Sequence, residues 1–267
     1  TFSPLTSSNS TAENRALETE LDPLLSAHSD DIYMNQKLFE RVKKVYDEAD
    51  STKLSKEEMK TLKNIYKRFE RNGANLSDAD KERLRELNLK ISALQLQFSQ
   101  NLLHETNNTY VVVERLEDLD GLPQSDIERA SAMAAAQGQP DKWMFNMQRA
   151  SCNPVLQYCT NRELRKKVYL AYCNRGNANN EYDSKAICAE LVKLRLERAK
   201  LMGFKNCASQ ILDTRMAKTP EAVYNLLDQI WTPAVKKANE ELADIREEMK
   251  KDGLTCEPEG WDYRFYP

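Results

Sequence analysis

Polar and apolar residues alternate along most of this chain at the three- and four-residue spacing of a helix that buries one face. Thr11 to about Asp30 reads as a helix that Pro23 kinks or breaks. Asn35 to Ala49 places Leu38, Val42 and Val45 on one face, which predicts a second helix. Ser55-Lys-Glu-Glu58 is a capping box, opening a third helix that reaches about Arg71 and ends at Asn72-Gly73. The strongest pattern starts at Ser77 or Asp78. Leu84, Leu87, Ile91, Leu94 and Phe98 follow 3-4-3-4 spacing, and Leu89, Leu96 and Leu103 mark a second stripe. A helix apolar on two faces is expected to lie centrally, packed from both sides.

The pattern changes at Thr109-Tyr-Val-Val-Val113, which is β-branched and aromatic and predicts a strand. Gly121-Leu-Pro123 predicts a turn. Ser125-Asp-Ile-Glu128 reads as another capping box, opening an Ala-rich helix to about Gln137. Gly138 and Pro140 stop that helix, and Lys142 to Met147 predicts a second short strand. Helices resume at Asn153. Thr160-Asn-Arg-Glu163 reads as a third capping box leading a helix to about Arg175, and Gly176 to Asn180 is a loop. A helix from about Asp183 carries Ile187, Leu191, Leu194 and Leu201 and closes at Gly203. Thr219 and Pro220 then supply an N-cap and a first-turn proline. The helix they open carries Val223, Leu227, Ile230, Ala234, Ala238, Leu242, Ile245 and Met249, with a bend at Pro233 and an end near Gly253. The fold class is mainly α, a multi-helical body with a small β element. The expected regions are 1–108 (helical), 109–150 (strand, helix, strand) and 151–267 (helical).

Composition agrees and narrows the function classes. The 267 residues include only 7 Gly and 9 Pro, and 30% are charged. Thirty-nine basic residues oppose 42 acidic ones, a net charge of −3 with no basic stripe, which argues against a nucleic-acid partner. No apolar run approaches the roughly 20 residues of a membrane span. The opening TFSPLTSSNSTAE lacks the charged start and apolar core of a signal peptide. Both ends read as cut from a longer polypeptide. Cys152, Cys159, Cys173, Cys188, Cys207 and Cys256 show no CxxC spacing and read as reduced thiols, which favours a cytoplasmic location. Asn9, Asn75 and Asn107 begin N-x-S/T sequons, which do not establish secretion.

The chemistry-bearing residues are few. His28 reads as a polar residue near a helix end. His104-Glu105 begins like a zinc-peptidase helix, but that motif needs a second His four residues on, and position 108 is Asn. No nucleophile elbow, phosphate-cradling glycine loop or Cys–His pair is present. On chemistry alone the chain reads as a scaffold or binding domain, with no catalytic residue and no metal ligand. The best local candidate for a ligand-meeting surface is the aromatic cluster Trp261, Tyr263, Arg264 and Tyr266. It reads as a strand with one buried and one exposed face, either meeting a ligand or simply packing on the long helix before it.

Several runs carry a family resemblance. Ala199-Lys-Leu-Met-Gly-Phe204, Met216-Ala-Lys-Thr-Pro-Glu-Ala-Val223, Asp31-Ile-Tyr-Met-Asn35, Asn161-Arg-Glu-Leu-Arg165 and Trp261-Asp-Tyr-Arg-Phe-Tyr266 fall in a shared order. The chain resembles the thimet oligopeptidase family of zinc metallopeptidases, its peptidyl-dipeptidase subgroup most of all, over essentially all 267 residues. The resemblance implies part of a two-lobed helical enzyme flanking a channel that admits short unstructured peptides. It implies a zinc held by a His-Glu-x-x-His helix and a downstream Glu, and release of C-terminal dipeptides. It also implies that the two predicted strands lie near the channel. The motif itself is missing, so the expectation is an inactive internal fragment. Its parent needs zinc, this segment binds none, and its partners are short peptides and the remainder of its own polypeptide. The alternative is a non-catalytic helical peptide-binding or interaction protein on the same fold.

Overall fold

The computed structural model describes residues 6, 11–50 and 53–266, so the sequon at Asn9 lies outside the described residues. Contacts divide the chain into two units, Thr1–Gln97 with Ile187–Pro220 and Phe98–Ala186 with Glu221–Pro267.

In the first unit, side-chain caps start each helix where short polar residues stand. Helix α1 (Ala12–Tyr33) begins at Thr11, whose Oγ1 accepts the Asn14 N–H at 3.2 Å. Pro23 neither breaks nor ends it. A proline removes one backbone donor, and the turns on either side carry the helix on to Tyr33. Helix α2 (Gln36–Asp47) starts at Asn35, whose Oδ1 accepts from Leu38 N at 3.0 Å. Helix α3 (Lys56–Arg71) opens with the predicted capping box, Ser55 Oγ accepting from Glu58 N (3.2 Å) and Glu58 Oε2 accepting from Ser55 N (2.8 Å). Replacing Ser55 with alanine is expected to cost about 1 kcal/mol, read as an earlier urea midpoint of helix loss.

The buried face of α2 differs from the predicted one. Phe39 is buried, whereas Leu38 and Val45 are exposed, and only Val42 of the predicted stripe packs inward. Phe39 stacks on Tyr66 (5.7 Å) and on Phe69 (6.0 Å), and Tyr33 meets Phe69 edge-on at 5.2 Å. Aromatic rings bury more area than Leu or Val, so they set the rotation of the helix. Helix α4 (Asp78–Asn108) buries Leu84, Leu87 and Ile91 as predicted, while Leu89 of the second stripe is exposed. Asn88 donates to the buried Asp30 of α1 at 2.9 Å. Helix α8 (Lys185–Leu201) buries Ile187, Leu191, Leu194 and Ala199 and closes at Gly203, whose φ is +80°. The short α9 (Cys207–Leu212) follows, tied to α3 by Arg71, which donates to the Gln210 carbonyl (2.8 Å) and to Asp213 (2.9 Å).

The second unit holds the small sheet. Strands β1 (Tyr110–Val113) and β2 (Trp143–Asn146) pair antiparallel, Tyr110 opposite Asn146 and Val113 opposite Trp143. Between them lie a 3-10 turn (Leu116–Leu119) and α5 (Gln124–Ala136). Helix α5 starts one residue before the expected box. Pro123 occupies its cap with no side-chain hydrogen bond, and Ser125 is already inside the helix. Helix α6 (Arg149–Tyr158) begins before Asn153 and carries Pro154 within it. Helix α7 (Arg162–Cys173) is capped by Asn161, whose Oδ1 accepts from Leu164 N at 3.1 Å. The expected capper, Thr160, instead turns its hydroxyl to Asp120 Oδ2 at 2.8 Å. Val113, Leu119, Phe145, Val155, Leu164 and Val168 form the common core of sheet, turn and helices. Helix α10 (Pro220–Lys251) starts at the predicted proline and runs unbroken through Pro233. Of its eight predicted core positions only Ile245 and Met249 are buried.

Candidate functional site

The aromatic segment at the C-terminal end is not a strand. Residues 260–265 form successive turns around Asp262, whose carbonyl accepts the N–H groups of Phe265 and Tyr266, each at 3.0 Å. The reason is the Asp262 side chain, which has no exposed surface. Its Oδ1 accepts from Arg162 Nε (3.0 Å) and Arg165 Nη2 (3.1 Å), and its Oδ2 from Arg162 Nη2 (2.7 Å) and the Glu259 N–H (3.0 Å). Extended backbone would pull the carboxylate away from these donors and leave buried charges unpaired. Burial pushes the Asp262 carboxyl up, but the hydrogen bonds from Arg162, the Glu259 N–H and Arg165 more than reverse this and hold it below its ordinary range.

Arg165 is as buried as its partner, at 1% exposure, and every donor group is used. Nη1 donates to the carbonyls of Cys159 (2.8 Å) and Thr160 (3.2 Å), and Nε to that of Trp261 (3.3 Å). The guanidinium lies 3.9 Å from the centre of the Phe265 ring. Arg162 and Arg165 stand three residues apart on α7, one face of one helix, so a lone carboxylate can accept both. The sequence offered one faint signal for this hub, an Asp among aromatics far from any helix pattern. The pairing itself spans about a hundred residues and is not legible in spacing.

Of the four candidate surface residues, the hub turns two inward. Tyr266 is buried against Ile245 and Met249, and its hydroxyl donates to Asp252 at 2.7 Å; burial, with that hydrogen bond, pushes the phenol up to about 12. Trp261 packs edge-on to Tyr169 (6.0 Å) below the cations of Arg162 (5.5 Å) and Lys166 (5.2 Å). Tyr263 and Arg264 stay exposed, with Arg264 donating to Asn153 at 2.8 Å.

The other polar features fall into two kinds. A cleft of about 560 Å³ opens beside β1, lined by Glu114, Arg115, Asp118, Asn161, Glu163 and Lys167. Arg115 grips Asp118 through two bonds (3.0 and 2.9 Å) and Lys142 holds Glu114 at 2.7 Å. The His104-Glu105 pair is employed structurally. His104 stacks on Tyr182 with ring centres 3.7 Å apart. Glu105 is buried, accepting from the Gly176 N–H and from Asn180 Nδ2 at 2.8 Å, which staples the 176–180 loop to α4. Among the described residues no group of three His, Cys, Asp or Glu converges as a metal site would require. All six cysteines are free thiols, and burial pushes those of Cys152 and Cys159 up.

A family model matches residues 155–267, a range that includes α7, α10 and the Asp262 turn. That model is of peptidase family M3, and across those residues the chain is similar to it. The resemblance read in the sequence is thereby borne out. Relatives extend the match beyond that M3 segment. The chain is 32% identical to the dipeptidyl carboxypeptidase of Escherichia coli over 267 residues, covering 99% of this chain and 39% of that relative. It is 31% identical to oligopeptidase A of Haemophilus influenzae, covering 97% and 38%. It is 26% identical to a thimet-like oligopeptidase of Dictyostelium discoideum, covering 94% and 37%. The chain thus spans about two fifths of the length of the curated relatives it matches. Among its described residues no helix is long and apolar enough to cross a membrane.

Proposed function

We propose that this chain is part of a zinc-dependent M3 peptidase of the peptidyl-dipeptidase type, and that its role there is to build and shape rather than to catalyse. The observation that carries the reading is the 32% identity spread over 99% of the chain to a protein named dipeptidyl carboxypeptidase. The whole enzyme would hydrolyse short unstructured peptides and release C-terminal dipeptides. Its zinc, supplied from outside this segment, would activate water for attack on the scissile carbonyl. This segment's share is the scaffold. The cleft beside β1 and the exposed Tyr263 and Arg264 are the surfaces here that a peptide would meet, the guanidinium offering a partner for a carboxylate. The six free thiols support cytoplasmic residence.

Two assays test this. The 267-residue chain, given zinc, is expected to show no turnover of a blocked oligopeptide with or without chelator. A polypeptide of the relatives' length containing it is expected to release C-terminal dipeptides, and chelator is expected to stop it. Chelator-sensitive turnover by the 267-residue chain alone overturns the division of labour. A longer polypeptide that binds peptides without cleaving them favours a non-catalytic binding protein on this fold.

A further inference from the structure

Helix α10 has two halves in opposite surroundings. Its C-terminal half buries Ile245 and Met249 against Tyr266, with Leu254 and Phe265 alongside. Its N-terminal half carries Tyr224, Leu226, Leu227, Ile230 and Trp231, which are 65, 58, 51, 53 and 70% exposed. Tyr224, Leu227 and Trp231 share one stripe at three- and four-residue spacing, and Leu226 and Ile230 form a second beside it. A helix whose apolar surface spreads over two stripes is a buried helix, and a contiguous exposed apolar patch of large side chains marks an interface.

The composition of the helix selects among occupants. From Thr219 to Ala234 it contains no Lys or Arg, and its charges there are Glu221 and Asp228. A helix that lies on a lipid surface needs cations on its polar face, so lipid is disfavoured. A second copy pairing helix to helix would cover one seam and leave the adjoining stripe wet. Covering both stripes takes a cradle built from several elements. The matched relatives have that material, since this chain accounts for 39% of the Escherichia coli protein and well over half of that protein's length lies outside the match. The helix also lies within residues 155–267, the part that the family model matches.

We propose that the N-terminal half of α10, residues 220–235, is the surface on which the rest of a polypeptide of the relatives' length packs, with Trp231 seated in the shared core. This rests on the reading that the chain is part of such a peptidase. Hydrogen exchange of residues 221–240 tests it, compared between the 267-residue chain and the longer polypeptide, each over a range of concentrations. Exchange is expected to be about 100-fold slower in the longer polypeptide and unchanged on dilution. The double substitution Leu227→Glu with Trp231→Glu is expected to leave the melting midpoint of the 267-residue chain within about 2 °C, because both side chains are solvated there. In the longer polypeptide the same pair is expected to lower the midpoint and restore fast exchange. Equal exchange in both overturns the proposal. So does protection of the 267-residue chain that grows with its concentration, which assigns the face to a second copy, or protection only on anionic vesicles, which assigns it to lipid. Peptidase activity is read separately. Protection without chelator-sensitive turnover removes the enzyme reading and keeps the docking surface, whereas turnover without protection does the reverse.

Discussion

Replacing Asp262 with alanine is expected to destabilise the second unit by about 3–5 kcal/mol, the range for removing one partner of a buried ion pair. The side chain itself contributes little packing; the cost comes from what it leaves behind. Arg165, 1% exposed, would keep its carbonyl partners but lose the Asp262 counter-charge, and the Glu259 N–H would lose its acceptor. The turn at 260–265 would open, releasing Tyr266 from Ile245 and Met249. A urea titration followed by near-ultraviolet dichroism of the tyrosines reads this directly. Substituting Asp262→Leu together with Arg165→Met is expected to recover part of the loss, since the fully buried charges then go together and only the half-buried Arg162 loses a partner. A single Asp262→Ala that unfolds at the wild-type midpoint would show that the hub is not what holds the turn.

The same carboxylate sets an acid limit. Its pKa is lower folded than unfolded, where aspartate titrates near about 3.9. Its stabilisation is therefore fully present above that value and lost as pH falls through the folded one. The wild type is expected to lose stability more steeply below about pH 4 than the Asp262→Ala variant does. Parallel acid limbs would contradict this.

Gly121→Ala is the second large effect, expected at about 2–4 kcal/mol. Gly121 has φ +84°, a conformation that an L side chain adopts at a cost. A Cβ there would also stand 2.2 Å from the Tyr158 carbonyl oxygen and 3.1 Å from Thr160 Cγ2. The obstacle is backbone, held in place because the Thr160 N–H donates to the Asp120 carbonyl at 3.0 Å, so no rotamer change relieves it. Gly138→Ala serves as the control. Its φ is +75° but nothing lies within 4 Å of the added carbon, so it isolates the conformational part at about 1 kcal/mol. Equal midpoints for the two variants would remove the close-approach argument.

These two sites also mark where local reading stops. The starts of α1, α2 and α3, the Gly203 stop and the Pro220 start are as predicted, because a cap or stop depends on residues within one turn of each other. The capping boxes at Ser125 and Thr160 fail for a reason outside that window. Asp120 takes the Thr160 hydroxyl from forty residues away, and Pro123, with φ already fixed near its observed −58°, starts α5 early. The buried faces follow the same logic. Leu84, Leu87 and Ile91 point inward as their spacing says, but α2 rotates to bury Phe39 because Tyr66 and Phe69 wait on another helix.

The sequence alone determined the helical class, the two short strands, most helix ends and the family resemblance, and also that His104-Glu105 lacks the second imidazole a zinc helix needs. All of these are carried by residues close together in the chain or by their wording. Tertiary structure decided that Trp261 to Tyr266 is a turn and not a strand. It did so because two arginines of α7 reach one carboxylate a hundred residues later, and a buried charge overrides the alternating pattern around it. It also decided that α10, uniform in its periodicity, is covered along one half and bare along the other. Periodicity reports which residues avoid water, and only the fold shows what covers them.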